Sequence, residues 1–181
     1  MHNKIFTAKY FRKKHAIRLC IWMSREKKLR WFSSQFKKKP HLKKIKKYYK
    51  TSKSCNHRFY SMFDKNFNHI GHFELKNINS NNKSAVLAHV LLGDSTYRGK
   101  GFGKAFIAAI LALAFGKLNL HRLGLAVHTN NHRAIFAYLK AGFQFEGLIR
   151  DALKIESRHV SLYQMSILRT EWKKGLAQEH L

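Results

Sequence analysis

Short apolar segments separated by turn-forming residues fill the chain from His57 onward. The run HRFYSMFD predicts a strand, KNFN predicts a hairpin turn, and HIGHFELKNI predicts the next strand. In that second strand Phe73 and Leu75 alternate with Glu74 and its polar neighbours, and this alternation predicts that Glu74 faces solvent. NSNNK then predicts a turn, and the more continuously apolar SAVLAHVLLG predicts a central strand. The pattern indicates an antiparallel meander.

A longer apolar stretch follows the meander and begins an alternation of helices and strands. Residues 105–115 are apolar nearly all round and rich in Ala, which predicts a buried helix close against a sheet. HRLGLAVHT predicts a strand, and NNHRAIFAYLKAGF predicts a short helix that Asn130 or Asn131 caps and Gly142 ends. FQFEGLIRDA and RHVSLYQMSIL predict two more strands. The expected fold class is an α/β sandwich whose mixed, mainly antiparallel sheet carries helices on both faces.

The N-terminal third has a weaker pattern. Residues 4–10 alternate loosely and predict a first strand, and residues 13–23 carry apolar side chains at helical spacing. Residues 29–36 and 42–49 predict a second helical region, broken at Pro40, with its lysines on the solvent side. These elements extend the same sandwich toward the N-terminus.

The length predicts a single domain. A chain of 181 residues can bury one substantial core and is short for two, so we expect one domain with a core from about residue 4 to 172 and a C-terminal tail at 173–181. The longest apolar run, 105–115, is far below the roughly 20 residues of a membrane span. Arg18 interrupts the one candidate signal core, and Cys20 and Cys55 lack metal-like spacing. We expect a cytoplasmic protein without a membrane partner.

The charge of the chain is unusual. Lys and Arg number 36 against nine acidic residues, and 19 of those basic residues lie in the first 53 positions, where Glu26 is the one acid. One interpretation is an N-terminal arm that contacts nucleic acid or the ribosome. The other is a general preference for lysine on solvated surface, which we favour because the rest of the chain is also strongly basic.

The segment YRGKGFGKAF raises the question of what its backbone surrounds. Gly99, Gly101 and Gly103 occupy alternate positions, whereas an ordinary helix cap needs one glycine. A Walker loop fails because Arg98 and Ala105 stand where it needs Gly and Ser or Thr, and the dinucleotide-binding pattern lacks its last glycine. The pattern that fits is Arg-x-x-Gly-x-Gly, which starts at Arg98.

This hexapeptide lies between a predicted strand and a predicted helix, and NHRAIFAYLKAGF follows about 30 residues later. Together the two segments resemble the coenzyme A loop and the following helix of the GNAT acetyltransferases. The resemblance covers residues 57–172 well, and the ending of the chain looks most like the Rim-type ribosomal-protein N-terminal acetyltransferases and their small-molecule relatives. The segment HLKKIKKYYKTSKSCNHRFYSMFD also resembles acetyltransferases of nucleotide-linked amino sugars.

The resemblance implies acetyl-CoA as co-substrate and places its contacts. Backbone amides at a helix N-terminus suit a pyrophosphate, and nearby cations add charge. The implied loop contacts are Arg98, Gly99, Lys100, Gly101, Phe102, Gly103 and Lys104. The main chain of Val90, Leu91 and Leu92 is expected to bind the pantetheine amides and the thioester carbonyl.

The helix after the loop carries the other implied contacts. Asn131, Ala134 and Tyr138 share one helix face. The resemblance implies that Asn131 holds the pantetheine arm, that Ala134 lets it pass, and that Tyr138 is the general acid for the departing thiolate. Without the loop, Asn131 would be interpreted as an N-cap and Tyr138 as a core tyrosine.

The general base is left open by the sequence. Many relatives place a glutamate on the central strand, whereas residues 85–88 here contain no carboxylate. Glu74 is the best carboxylate and His89 the best imidazole, although each has a purely structural interpretation, and a chain of water needs neither.

No metal is expected, because the remaining histidines lack the short paired spacing of a metal site and a nearby carboxylate; they include His121, His128, His132 and His159.

The function that the resemblance implies is acetyl transfer to a primary amine by direct attack in a ternary complex. The acceptor is a protein N-terminus, an amino sugar or another small amine, and the basic surface favours an anionic acceptor over free polyamines. The alternative is a basic nucleic-acid- or ribosome-binding protein on an acetyltransferase scaffold. The chain is expected to be a monomer or a homodimer.

Overall fold

A twisted sheet of seven strands forms the centre of the computed structural model, which describes residues 5–25, 41–54, 56–155 and 157–178. The strand order is β1-β2-β3-β4-β5-β7-β6. The strands are β1 (Phe6–Tyr10), β2 (Arg58–Asp64), β3 (His69–Asn79), β4 (Ser84–Leu92), β5 (Arg122–His128), β6 (Gln144–Ile155) and β7 (Arg158–Leu168). Neighbouring strands are antiparallel except for β4 and β5, which are parallel.

Helices cover both faces of the sheet. The described helices are α1 (Ala16–Arg25), α2 (Leu42–Ser52), α3 (Phe102–Leu111), α4 (His132–Lys140) and α5 (Arg169–Gln178). On one face α1 and α2 pack over Phe59 and Leu91, and on the other α3 and α4 pack over a larger core that includes Phe73 and Leu123. The predicted α/β class with helices on both faces is therefore confirmed. In the described parts of the chain, no helix is long and apolar enough to cross a membrane.

Several boundaries differ from the sequence prediction. The helix expected at 105–115 begins at Phe102 and ends at Leu111, and a π-helical turn continues it over Ala112–Lys117. The helix α5 was not predicted, because its sequence RTEWKKGLAQ has little apolar periodicity; Glu171 nevertheless accepts a hydrogen bond from the Leu168 N–H at its start. The predicted helical segment 29–36 and Pro40 lie outside the described residues.

The prediction that Glu74 faces solvent was wrong. Every residue of β3 from His69 to Leu75 is buried, and the Glu74 side chain is 1% exposed. The alternation in β3 is real, but the polar face of the strand lies under α1 and α2 instead of water, because this sheet is covered on both sides. A polar residue on the alternate face of such a strand is therefore a buried polar residue.

Candidate active site

The parallel strands β4 and β5 separate soon after they begin. Their residue pairs are Ser84 with Arg122, Ala85 with Leu123, and Val86 with Gly124. Beyond these pairs β4 remains bonded to β3, and β5 remains bonded to β7. We call the space between residues 87–92 and 125–128 the β4–β5 gap. Within the described strands, the backbone groups that face this gap lack the bonds of a continuous ladder, so they are available to a ligand.

A bulge in β4 lies beside the β4–β5 gap. Two residues of β4, His89 and Val90, together lie opposite Phe73 of β3. His89 has a φ of 50°, a left-handed conformation that a non-glycine residue keeps only when its surroundings hold it there. The His89 side chain is on the α1–α2 side of the sheet, where its Nδ1 lies 2.8 Å from Glu74 Oε1. The bulge thus places the His89 side chain beside Glu74, and these are two of the three predicted catalytic residues.

The glycine loop connects β4 to α3. Gly99 and Gly101 have φ values of 76° and 79°, which glycine adopts without strain, and a Cβ at either position would meet nothing within 4 Å. Gly101 is the N-cap of α3, so the backbone N–H groups of the first helical turn are directed out of the helix start. Lys100 and Lys104 are exposed beside them. The geometry and charge of this loop suit a phosphate or pyrophosphate group.

Two further contacts fix the glycine loop in place. Arg98 Nε donates a hydrogen bond to the carbonyl oxygen of Leu92 at 2.7 Å, which ties the loop to the end of β4. On the other side, a Cβ at Gly103 would lie 3.6 Å from the Cβ of Ala137 in α4. The loop is therefore held between the β4–β5 gap and α4, and Arg98 has a structural bond that the sequence did not reveal.

The helix α4 carries the last group of predicted residues. The Asn131 side chain caps the helix by accepting a hydrogen bond from the Ala134 N–H at 3.4 Å. Tyr138 lies one turn further along, buried in the larger core with its ring centroid 5.5 Å from that of Phe143. Burial raises the pKa of the Tyr138 hydroxyl. Tyr138 therefore stays protonated at neutral pH and can donate a proton.

A cluster of hydrogen-bond donors surrounds the buried Glu74 carboxylate on the α1–α2 side. Tyr48 donates to Oε2 at 2.8 Å, and His57 Nε2 lies 2.8 Å from the same oxygen. On Oε1, His72 Nε2 lies at 3.4 Å and His89 Nδ1 at 2.8 Å, while Lys76 Nζ is 3.7 Å from Oε2. We call these residues the Glu74 cluster: Tyr48, His57, His72, Glu74, Lys76 and His89.

The protonation states in the Glu74 cluster follow from burial and hydrogen bonding. Burial alone would raise the pKa of Glu74, but the bonds from His57, His72 and His89 outweigh it and hold this pKa well below its usual value. Burial lowers the pKa of His89, and the bond to Glu74 only partly opposes that shift. At neutral pH the cluster therefore contains an ionised carboxylate that accepts from a neutral imidazole.

The sequence did not identify Tyr48, His57, His72 or Lys76 as neighbours of the Glu74 carboxylate. Tyr48 belongs to a lysine-rich helix and His57 directly precedes β2, so both are far from Glu74 in sequence. Pairing of β2 with β3, and the packing of α2 over them, brings these two residues to Glu74. His72 and Lys76 lie two residues from Glu74 on the same face of β3, and this spacing was the signal that could have found them. Among the described residues, no group of three His, Cys, Asp or Glu side chains is arranged to hold a metal ion.

The comparisons with known proteins agree with this geometry. A family model described as an acetyltransferase (GNAT) domain matches residues 7–144. The chain belongs to the GNAT acetyltransferase family. It is thus an acetyl-CoA-dependent N-acetyltransferase.

The chain is 29% identical over 142 residues to the spermidine N(1)-acetyltransferase of Vibrio cholerae, covering 78% of this chain and 80% of that enzyme. It is 34% identical over 74 residues to the uncharacterized N-acetyltransferase p20 of Bacillus licheniformis, which covers 41% of this chain and 42% of that protein.

A solved structure supports the same fold. The crystal structure of spermidine N-acetyltransferase from Vibrio cholerae, in complex with CoA and spermine, superposes with a TM-score of 0.81. The match covers 94% of this chain and 99% of that one at 24% sequence identity. This GNAT chain therefore has the family's fold over nearly its whole length.

The first prediction concerns the glycine loop. Gly101→Val is expected to abolish acetyl-CoA binding, because a branched residue is strained at a φ of 79° and would alter the backbone that presents the amides. Isothermal titration calorimetry with acetyl-CoA measures the loss. The matched control is Gly116→Val, since a Cβ there also meets nothing within 4 Å and φ is not positive. Unchanged affinity in a folded Gly101→Val protein would contradict the assignment of the loop.

Proposed function

We propose that this GNAT acetyltransferase transfers the acetyl group by direct attack of a primary amine in a ternary complex, with the reacting thioester in the β4–β5 gap. The observation that carries the proposal is the position of the two candidate proton-transfer groups. The Glu74–His89 pair lies on the α1–α2 side of the sheet, and Tyr138 lies in the core on the opposite side. An amine can thus lose its proton on one side while the leaving sulfur gains one on the other.

His89 is the proposed general base, and Glu74 is its positioning residue. When Nδ1–H of His89 donates to Glu74, the lone pair of the neutral ring is on Nε2, which can take a proton from the attacking amine. Glu74 itself is a poor base, because the donors around it hold its pKa well below the usual value. The carboxylate instead fixes the tautomer and orientation of the imidazole. The proposal therefore favours His89 over Glu74 as the base, a choice that the sequence left open.

The other groups of the site bind and orient the co-substrate. Acetyl-CoA supplies an acyl thioester whose carbon accepts the amine. The first-turn amides of α3, with Lys100 and Lys104, would hold its pyrophosphate, and the free edge of β4 at residues 90–92 would hold the pantetheine amides. A backbone N–H of that edge can also stabilise negative charge on the thioester oxygen. The Tyr138 hydroxyl, which is protonated at neutral pH, would protonate the departing sulfur.

The acceptor is inferred from a cavity beside the Glu74 cluster. A cavity of about 230 Å³ adjoins the Glu74 cluster, with Tyr48, His57 and Lys76 in its wall and otherwise neutral polar residues, which are Ser52, Ser54, Asn56 and Asn77. No carboxylate lines this cavity in the described part of the chain. A polyamine, with several positive charges, would be repelled by Lys76 and would find no carboxylate in the wall of this cavity. We therefore infer an acceptor with one amine and a neutral or anionic remainder, such as an amino sugar phosphate or a protein N-terminus of the Rim type.

Removal of the Tyr138 hydroxyl tests the general acid. Tyr138→Phe is expected to lower kcat by on the order of 10²-fold and to leave acetyl-CoA affinity nearly unchanged, because proton donation acts only in the transition state. Steady-state kinetics and calorimetry measure the two effects. Tyr49→Phe is the matched control, since its hydroxyl donates to the Phe11 carbonyl away from the reacting groups. A kcat within about twofold of the parent, with a weakly and a strongly basic acceptor, would make Tyr138 a structural residue.

The pH profile of kcat/KM tests the Glu74–His89 pair. Activity requires neutral His89, so it should rise with pH through the His89 pKa. Glu74→Gln removes a carboxylate that raises this pKa, and the acidic limb should therefore shift to lower pH while kcat falls. The parent and the variant are measured with one acceptor, so its own ionisation cancels. His89→Gln should abolish the limb. A loss of activity with an unmoved acidic limb would show that Glu74 only supports the fold.

A panel of acceptors tests the charge preference. We expect kcat/KM for an amino sugar phosphate to exceed that for spermidine by at least about tenfold, because Lys76 favours an anion and opposes a polycation. Lys76→Gln should raise KM for the phosphorylated acceptor and not for its unphosphorylated parent sugar, whereas Lys83→Gln, an exposed lysine in the β3–β4 turn, should change neither. Preference for spermidine would reject the acceptor class, and the roles of His89 and Tyr138 would still be decided by the two preceding experiments.

A further inference from the structure

The terminal strand β1 borders a second large cavity, far from the β4–β5 gap. β1 pairs with β2 at one edge only, and β2, β3 and β4 separate it from the gap. A groove of about 890 Å³ extends over the β1 edge, between α1 and the end of the π-helical turn that follows α3. We call it the β1-edge groove. Its size is comparable to that of an ordinary ligand site, and the acetyl-transfer chemistry uses none of its residues.

Exposed cations line the β1-edge groove. Lys9, Arg12, Lys14 and Arg18 line one side, and Lys117 lines the other. No carboxylate lines the groove within residues 5–25, 41–54, 56–155 and 157–178. The nearby acidic residue at the end of β2, Asp64, is buried and accepts hydrogen bonds from Asn68 and from the Tyr97 hydroxyl. The groove therefore has a positive charge that its own lining does not neutralise.

Exposed aromatic rings accompany these cations. Tyr10 is 59% exposed and Phe67 is 71% exposed, although large apolar rings are usually buried. The Tyr10 ring stacks on Tyr60 at a centroid distance of 5.1 Å, which fixes its orientation at the groove surface. Lys9 Nζ lies 4.7 Å from the centroid of Phe67. Both rings and the cations thus line the same groove.

We propose that the β1-edge groove binds single-stranded nucleic acid. A positively charged groove that follows a phosphate backbone, with aromatic faces on which bases stack, is the combination that such ligands need. The bases of a duplex are already stacked and paired, so Tyr10 and Phe67 would contribute nothing to binding one. This assigns a binding role to part of the basic N-terminal region and does not depend on the proposed mechanism of acetyl transfer.

Removal of the two rings provides the decisive experiment. Binding of fluorescein-labelled 12-nucleotide oligo-U and oligo-dT to the full chain is followed by fluorescence anisotropy. Phe67→Asn suits the φ of 61° at that position, and Tyr10→Thr suits an edge strand, so both variants should fold. Each substitution should raise the Kd by on the order of tenfold. Acetyl-CoA affinity should stay unchanged, since neither residue belongs to the acetyl-transfer site.

A matched pair of triple variants tests the charges. Lys9→Gln, Lys14→Gln and Lys117→Gln together should flatten the slope of log Kd against log salt by about 2, since each phosphate contact on a single strand contributes about 0.7. The control triple, Lys83→Gln, Lys140→Gln and Lys154→Gln, removes the same charge from exposed positions outside the groove and should change the slope little.

Three outcomes would overturn the proposal. Equal losses in the two triple variants would show that binding follows net charge alone. Full affinity after removal of both rings would show that bases do not stack in the groove. Equal affinity for a 12-base-pair duplex would show an electrostatic surface that does not distinguish single strands. Tight binding to oligo-U or oligo-dT that the ring and groove variants weaken supports it.

Discussion

The divergence of β4 from β5 is the constraint on which the rest of the site depends. Two parallel strands that remain paired leave no edge for a ligand, whereas these strands part after three residue pairs. The bulge at His89 occurs just beyond the last pair and reorients the β4 backbone, at the cost of a left-handed non-glycine residue. The glycine loop follows β4 after residues 93–97, and the bond from Arg98 to the Leu92 carbonyl holds it against the end of that strand, beside the gap.

The buried Glu74 carboxylate is the second organising element. An isolated carboxylate under two helices would cost on the order of several kcal/mol in lost hydration. Here Tyr48 and three histidines saturate its oxygens, and Lys76 supplies opposite charge. These donors come from α2, β3, β4 and the residue before β2, so the carboxylate links those parts of the chain to one another. The residue proposed to position the base is thus also a centre of polar packing between these elements.

The sequence predicted the elements better than the contacts between them. The strands from β2 to β7 and the helices on both faces follow from apolar periodicity, and the loop from Arg98 to Gly103 follows from its glycine spacing. Glu74 was assigned to the correct strand and to the wrong environment, because alternation reveals two faces without telling which of them a helix covers. The roles of Tyr48 and His57 could not be predicted either, since only tertiary packing brings them to Glu74.

The short β4–β5 pairing also divides the sheet into two halves. Strands β1 to β4 form one antiparallel unit and β5 to β7 form another. Within each unit neighbouring strands are joined by more residue pairs than the three that join β4 to β5. Separating the sheet between β4 and β5 therefore breaks the fewest hydrogen bonds. Backbone amide hydrogens beside this pairing should exchange through a smaller local unfolding than those within either half. A molecule bound across the gap spans both halves, and it therefore acts as a cross-link that makes the two units unfold as one.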